Sequence, residues 1–189
     1  GPAAARNAGV EAARGEYCVF LDSDAALSRR GLGRLVEQLD REPDVGVIGC
    51  RILNAYTRKL DQWIYAQRAL DSEKQRFDTY SFSAAGAIVR RDLFREVGGF
   101  WEKLFIYNEE VELSIRILRN GFRIRYDPDA VVFHRVAPHG RTGRGRYYYF
   151  QVRNWIWTYS RHYPHPSRWQ KVALCSVIYL FKSTLRLQT

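Results

Sequence analysis

Cysteine is scarce in this sequence, and its arrangement excludes two classes of protein. The three cysteines, Cys18, Cys50 and Cys175, are scattered and odd in number, and none has C-x-x-C spacing. A disulfide framework and a cysteine-based zinc site are therefore not expected. A reducing, cytoplasmic compartment fits this cysteine content best.

Long apolar segments are also missing. Residues 1–15 contain no apolar core, so we expect no signal peptide. The longest apolar run, 172–181, is about half the length that a bilayer crossing needs, so no transmembrane helix is predicted. Hydrophobic residues make up 46% of the 189-residue chain and charged residues 26%, which is ordinary for one folded domain and argues against disorder.

The last third of the chain lacks acidic residues altogether. Residues 130–189 contain no Asp or Glu but ten Lys or Arg, whereas residues 1–129 are neutral overall. The formal net charge of +10 therefore lies in one block. Such a block indicates a polyanionic partner, which is a phosphate-bearing substrate, an anionic membrane surface or a nucleic acid.

Strand and helix patterns alternate along the first half. The continuous apolar run Tyr17–Leu21 predicts a buried strand, and a second strand is predicted over 45–48. Between them Ser28 is a candidate N-cap for a helix that extends through Leu39. This alternation predicts a parallel α/β sheet covered by helices. Residues 52–79 show no clear pattern, and we interpret them as an excursion over the active face.

The second half predicts two more strands and several helices. A strand is predicted over 82–89, a helix over 109–120 with Gly121 as its left-handed cap, and strands over 122–126 and 130–133. The rest is expected to be helical, with a break at 164–166 because of two prolines.

The last predicted helix separates charge from apolar residues. At about 100° per residue its cations share an arc of about 60°, and its large apolar residues occupy the other side. A helix lying in a membrane interface has this pattern, and so does a surface helix that packs its apolar side on the core. Both interpretations stay open. The cations are Arg168, Lys171, Lys182 and Arg186, and the apolar residues are Leu174, Val177, Leu180, Phe181 and Leu185.

Two carboxylates follow the first buried strand. Asp22 and Asp24 form a compact pair of oxygen ligands, which Mg²⁺ and Mn²⁺ prefer when substrate phosphates complete the coordination shell. Aspartates after strands also cap helices or hold turns, so the pair alone does not establish a metal site.

Glu109, Glu110 and Glu112 place three acids at a predicted helix start. The helix dipole favours anions there, which is a structural explanation. Mutual repulsion can also raise the pKa of one of them, as a general base requires. His134 ends the strand 131–133 and could be a third metal ligand, although a lone histidine is more often structural.

Five motifs in order resemble family 2, GT-A-type glycosyltransferases, and the resemblance extends to about Tyr163. Arg153-Asn154, after three tyrosines, is similar to the rhamnosyltransferase-like branch. Gln151-Val152-Arg153-Asn154-Trp155 resembles the Q-x-x-R-W motif of processive synthases, with asparagine in place of the arginine. The five motifs are Arg6-Asn7 with Asp22-Ser23-Asp24, Ala85-Gly86, Gly98-Gly99-Phe100, Asn108-Glu109-Glu110 and Val132-Phe133-His134.

The resemblance implies a fold and a division of the chain. It implies an α/β, GT-A-like (Rossmann-like) mixed sheet covered by helices, incomplete at its N-terminus, with a helical C-terminal segment. Residues 1–146 would form the acceptor-side part of the catalytic core, and residues 147–189 a basic, aromatic-rich tail. The nucleotide-binding half that precedes the Arg-Asn helix in this family would be largely absent.

The resemblance also implies roles for single residues. Arg6, Asp22, Asp24 and Gly86 would contact the donor diphosphate, with Asp24 and His134 holding Mg²⁺ or Mn²⁺. Glu110 would be the catalytic base, with Glu109 the next candidate. Glutamate at position 110 is a departure, because the family usually has aspartate there. Trp101 is another, because an acidic residue commonly follows Gly-Gly-Phe.

The implied activity is inverting transfer from a nucleotide-sugar to a glycan or lipid-linked acceptor, near the inner face of a membrane. Two other classes stay open. Residues 141–146, followed by three tyrosines, would suit a nucleic-acid-binding module, but that class leaves the ordered acidic motifs unexplained. A non-catalytic remnant that binds partners or membranes is the other.

Overall fold

The computed structural model describes residues 1–61, 64–65, 70–135 and 143–185, with only the backbone described at 70, 71, 144 and 180–185. The side chains of Lys182 and Arg186, which belong to the predicted cationic arc, lie outside the described part. The same holds for most of the Gly/Arg-rich stretch 138–146.

Six strands and six α-helices make up the described chain, with short 3₁₀ turns at Leu70–Lys74 and Glu102–Leu104. The strands are β1 (Tyr17–Leu21), β2 (Ala25–Leu27), β3 (Val45–Asn54), β4 (Phe77–Thr79), β5 (Gly86–Arg90) and β6 (Arg123–His134). The helices are α1 (Pro2–Ala12), α2 (Gly31–Arg41), α3 (Arg91–Glu96), α4 (Glu109–Arg119), α5 (Arg144–His162) and α6 (Ser167–Leu185).

The strands form one mixed sheet in the order β1-β5-β3-β6-β2, with β4 paired to β6. The prediction of a parallel sheet was wrong for β5, which lies antiparallel between β1 and β3. Among the strands of the described residues, only β3 and β6 pair in parallel. The βαβ alternation gives β1 and β3 the same direction, but nothing local reveals that a later strand inserts between them.

Helices cover both faces of the sheet because side chains alternate along each strand. On β5, Ala87 and Val89 join a core with α1, α3 and α4, whereas Ile88 points to the other face with Leu35 and Leu39 of α2. The mixed, helix-covered sheet predicted from the resemblance is confirmed.

Several element predictions need correction at their boundaries. Ser28 does not cap α2, which begins at Gly31, because residues 25–27 pair with β6 as a short strand. The two strands predicted over 122–126 and 130–133 are one strand, β6. Its register with β3 shifts after Asp127, where Pro128 cannot donate a ladder hydrogen bond. Gly121 takes the left-handed conformation, as predicted, with φ 86°.

The last two helices break at the predicted prolines. Along α6, Val172, Cys175 and Tyr179 face the protein, and the Tyr179 hydroxyl donates to Gln151 Oε1 on α5 at 3.1 Å. Val177 is 62% exposed. The apolar side therefore faces away from the protein in the described part of α6, and it does not pack on the core. No helix among the described residues is both long enough and apolar enough to cross a bilayer.

Candidate active site

Two aspartates and a histidine meet at one edge of the sheet. Asp22 and Asp24 lie in the turn between β1 and β2, and β2 pairs with the end of β6 so that Ala25 is opposite His134. One ligand atom from each of Asp22, Asp24 and His134 lies within 4.8 Å of the others. The Asp22 and Asp24 side chains are 35% and 45% exposed, so a ligand can reach them.

Asp61 is a site residue that the sequence did not predict. Its Oδ2 atom lies 2.8 Å from His134 Nδ1, and its side chain is 9% exposed. Asp61 comes into place because the chain turns back after β3, where Asn54 caps the turn and the Asp61 amide donates to the Ile52 carbonyl. Asp61 lies in the segment 52–79, for which the sequence predicts an excursion over the active face, but no sequence motif marks this aspartate.

The donor set fits a divalent cation. His134 has a carboxylate oxygen at each ring nitrogen, with Asp24 Oδ1 3.1 Å from Nε2 and Asp61 at Nδ1. A neutral imidazole carries only one N–H, so one of these nitrogens needs a proton or a cation to face an oxygen favourably. With Asp61 accepting from Nδ1, Nε2 is free to be a metal ligand beside two carboxylates.

Arg6 joins this cluster to the carboxylates at the start of α4. Its Nη2 atom donates to Asp22 Oδ1 at 2.9 Å and its Nη1 atom to Glu109 Oε1 at 3.0 Å. The neighbouring Asn7 fixes α1 by bonding both the N–H and the carbonyl of Phe100. The Arg6 guanidinium therefore lies between the acids that the sequence predicts as metal ligands and the glutamates that it predicts as candidate bases.

Glu109 and Glu110 have raised pKa values because they are removed from water. Burial and then the charge of Glu110 raise the pKa of Glu109 to about 8, against the opposing charge of Arg6. Burial also raises the pKa of Glu110, whose Oε1 accepts from the Ala84 N–H at 3.3 Å. Glu109 Oε2 is buried without a hydrogen-bond partner among the described residues. Raised values suit groups that accept a proton near neutral pH.

The backbone before α4 is strained. Phe105, Tyr107 and Asn108 have positive φ angles of 66°, 69° and 64°, and none of them is glycine. Such conformations cost on the order of 1–3 kcal/mol each and persist only where the surroundings enforce them. Asn154 of α5 supplies part of this enforcement, because its Nδ2 atom donates to the Leu104, Ile106 and Tyr107 carbonyls.

Glu112 is structural and not part of the candidate site. Its fully buried carboxylate accepts from Arg116 and lies 2.9 Å from His162 Nε2 at the end of α5. Burial alone would raise the pKa of Glu112, but these hydrogen bonds outweigh it and hold the pKa below its ordinary value. Arg116 also donates to the Val97 and Gly99 carbonyls, which fastens the Gly-Gly turn to α4.

Gly86 begins β5 opposite Leu21, next to the aspartate turn. A Cβ atom there would lie 2.8 Å from Val132 Cγ2, so packing within the sheet accounts for glycine. Arg6, Asp22, Asp24 and His134 are together in the structure, with Glu109 attached through Arg6 and Glu110 beside it. The diphosphate contact assigned to Gly86, like the roles of the other site residues, stays a prediction.

The fold matches that of solved GT-A glycosyltransferases. The mannosyltransferase PcManGT of Pyrobaculum calidifontis, solved with GDP-Man and Mn²⁺, superposes with a TM-score of 0.61 at 21% identity, covering 95% of this chain and 49% of that one. Staphylococcus aureus TarS residues 1–349, solved with UDP-GlcNAc, superposes at 0.58 with 18% identity, covering 93% of this chain and 52% of that one.

The family model for glycosyl transferase family 2 matches residues 1–98, and the chain belongs to this family. A pre-mycofactocin glycosyltransferase of Mycobacterium tuberculosis is 33% identical over 142 residues, which is 71% of this chain and 30% of the relative. An N-acetylglucosaminyl-diphospho-decaprenol L-rhamnosyltransferase of the same organism is 36% identical over 75 residues, 40% of this chain and 24% of the relative. The chain thus spans less than a third of these relatives.

Proposed function

We propose that this chain is the acceptor-side catalytic part of a glycosyltransferase. It transfers a sugar from a nucleotide-sugar donor to a hydroxyl group of a glycan or lipid-linked acceptor, inverts the anomeric centre and depends on Mg²⁺ or Mn²⁺. The observation that carries the proposal is the Arg6 guanidinium, which bonds Asp22 of the aspartate–histidine cluster through one nitrogen and Glu109 of the glutamate pair through another. The relatives named as glycosyltransferases and the structures solved with nucleotide-sugars or Mn²⁺ support it.

The acidic groups divide the chemistry between them. Asp22, Asp24 and His134 would hold the cation, and a cation held there would supply positive charge against the negative charge of the departing nucleoside diphosphate. Glu110 accepts the proton of the acceptor hydroxyl while the oxygen of that hydroxyl bonds to the anomeric carbon of the donor sugar. The bond from the anomeric carbon to the diphosphate oxygen breaks at the same time. Arg6 keeps Glu109 and Asp22 in fixed relation. Attack from the side opposite the leaving group inverts the configuration.

The test is Glu110→Gln in an assay of sugar transfer and of donor binding. The amide cannot accept the proton, so turnover should fall by a factor on the order of 10²–10⁴, while cation-dependent donor binding stays within about twofold. Glu96→Gln, at an exposed glutamate of α3, is the matched control and should transfer like the wild type. Unchanged turnover of Glu110→Gln would remove Glu110 as the base. A wild-type chain that binds no nucleotide-sugar with Mn²⁺ would support the non-catalytic alternative.

We also propose that α6 places the protein on an anionic, inner-face membrane surface. Trp169, Leu174, Val177 and Ile178 are exposed on α6, an arrangement typical of an interfacial helix. The surrounding sequence from 130 onward carries positive charge without acidic residues, which complements anionic lipid. Of the two interpretations that the sequence left open for this helix, the outward-facing apolar side favours the interfacial one. Arg168 Nε donates to the Tyr163 carbonyl, and Lys171 Nζ lies 5.6 Å from the centre of the Tyr163 ring.

A further inference from the structure

We propose that Asn154 of α5 is a positioning residue for the Glu109–Glu110 pair. It holds the backbone of residues 104–107 in the one conformation that starts α4 where Glu109 meets Arg6, with Glu110 next to it. The inference rests on the proposed transferase function, in which this pair serves the acceptor hydroxyl. Neither carboxylate touches Asn154, so its effect is transmitted through the loop.

Both the nitrogen and the oxygen of the Asn154 side-chain amide form hydrogen bonds at this loop. The side chain is fully buried, and Nδ2 lies 3.0, 2.8 and 2.7 Å from the carbonyl oxygens of Leu104, Ile106 and Tyr107. Its Oδ1 atom accepts from Arg153 Nη2 at 2.8 Å, which fixes the orientation of the amide. The same Arg153 atom donates to the Leu104 carbonyl. Asparagine offers a donor and an acceptor on one short planar group, which an arginine at this position would not.

The loop that Asn154 holds would relax without it. Three of its residues have positive φ angles, and the last of them, Asn108, directly precedes Glu109. Asn108 Nδ2 also donates to Gln151 Oε1, so α5 contacts this loop through a second amide. Removing Asn154 takes the Nδ2 donor away from all three inward-facing carbonyls, although Leu104 keeps its bond from Arg153, and the loop can lower its energy by turning the carbonyls toward water. The first turn of α4 then shifts relative to Arg6.

The other end of α5 is fastened independently, so the variant should still fold. Arg119 donates to the His162 carbonyl at 2.6 Å, and His162 contacts the buried Glu112. Loss of Asn154 therefore loosens the loop locally and does not detach α5 from α4.

The experiment compares Asn154→Ala with Thr158→Ala by hydrogen exchange and by steady-state kinetics. Thr158 is equally buried one turn further along α5, and its hydroxyl has no hydrogen-bond partner among the described residues. In Asn154→Ala the amides of Phe105 and Ile106 should exchange at least about tenfold faster, and kcat should fall by about 10- to 100-fold. The donor dissociation constant should stay within about twofold of the wild type.

Each outcome decides the proposal. Unchanged exchange in Asn154→Ala overturns it, and so does a loss of kcat that Thr158→Ala reproduces. Asn154→Ser keeps one donor and should give intermediate exchange; if Asn154→Ala does not fold, this variant replaces it, and wild-type exchange in it would contradict the proposal. A wild-type chain without transferase activity refutes the proposed function instead, and the exchange comparison then still determines whether Asn154 holds the loop.

Discussion

At the scale of single residues, Glu109 combines a buried carboxylate with two charged neighbours. Arg6 attracts its negative charge and Glu110 repels it, while burial disfavours the ionised form altogether. Together these effects raise the pKa of Glu109 from 4.5 to about 8, so this side chain can bind and release a proton near neutral pH. Because the pKa of Glu109 differs between the folded and the unfolded chain, its ionisation changes the free energy of unfolding.

Glu109 should make the protein less stable as the pH rises. Because the folded chain binds its proton more tightly than the unfolded chain does, stability falls between about pH 4.5 and pH 8. Glu109→Gln cannot ionise, so its melting temperature relative to the wild type should increase from pH 5 to pH 8.5. Thermal melts across this range measure the effect, with Glu96→Gln as the control that should show a constant difference. A constant difference for Glu109→Gln as well would contradict the raised pKa.

Asp61 should tune the cation site without being a ligand. Asp61→Asn keeps the shape of the side chain but weakens the hydrogen bond that orients His134 through Nδ1. We expect Mn²⁺ to bind about 10- to 100-fold more weakly, as found when partners of metal-bound histidines are replaced. Calorimetric titration with Mn²⁺ and nucleoside diphosphate measures this. Asp129→Asn, at an exposed aspartate paired with Arg34, should bind like the wild type. Equal affinities for both variants would show that Asp61 does not orient His134.

At the scale of elements, α4 is held from three directions. Its first turn meets Arg6 of α1, its buried Glu112 meets His162 of α5, and Arg116 reaches the Gly98–Gly99 turn. The contact between α4 and α5 consists of buried polar groups, which have a steep cost when one partner is removed. Hydrogen bonds and ion pairs to three neighbouring segments therefore position the helix that carries both candidate bases.

Glu112→Ala should strongly destabilise the fold. It leaves Arg116 and His162 without their buried carboxylate, and the loss expected is about 3–5 kcal/mol in the free energy of unfolding. Glu37→Ala removes an exposed carboxylate paired with Arg41 and should cost no more than about 1 kcal/mol. Chemical denaturation measures both. Similar losses for the two variants would mean that the Glu112 network contributes no more than a surface ion pair.

At the scale of the whole molecule, positive charge and exposed apolar side chains concentrate toward the C-terminal helices, while the acidic site lies at the sheet edge.

Binding to vesicles of phosphatidylcholine with about one-third phosphatidylserine should weaken at least about tenfold in Val177→Glu. Leu32→Glu is the control, since Leu32 is an exposed apolar residue of α2, and it should bind like the wild type. Equal vesicle binding by both variants would exclude α6 as the membrane-binding element. If the wild type forms a dimer and binds no vesicles, and only Val177→Glu makes the dimer dissociate, the partner of α6 is a second copy of this chain.

Much of the fold was predictable because local patterns carry it. The apolar run Tyr17–Leu21 became β1, the acidic helix became α4, and Gly121 ended it in the left-handed conformation. These features depend on neighbours within a few residues in sequence. The place of β5 between β1 and β3, and the fusion of two expected strands into β6, depend on pairings across tens of residues, which periodicity does not encode.

Residue type and spacing are sufficient to establish the family, the positions of the acidic motifs and the block of positive charge. Which groups these residues touch depends on the tertiary structure. It placed Asp61 behind His134, Arg6 between two groups of acids, and Asn154 under the strained loop. It also turned the apolar side of α6 outward. Each of these depends on contacts between segments far apart in the chain, and such contacts form only when the whole sheet and its helices are assembled.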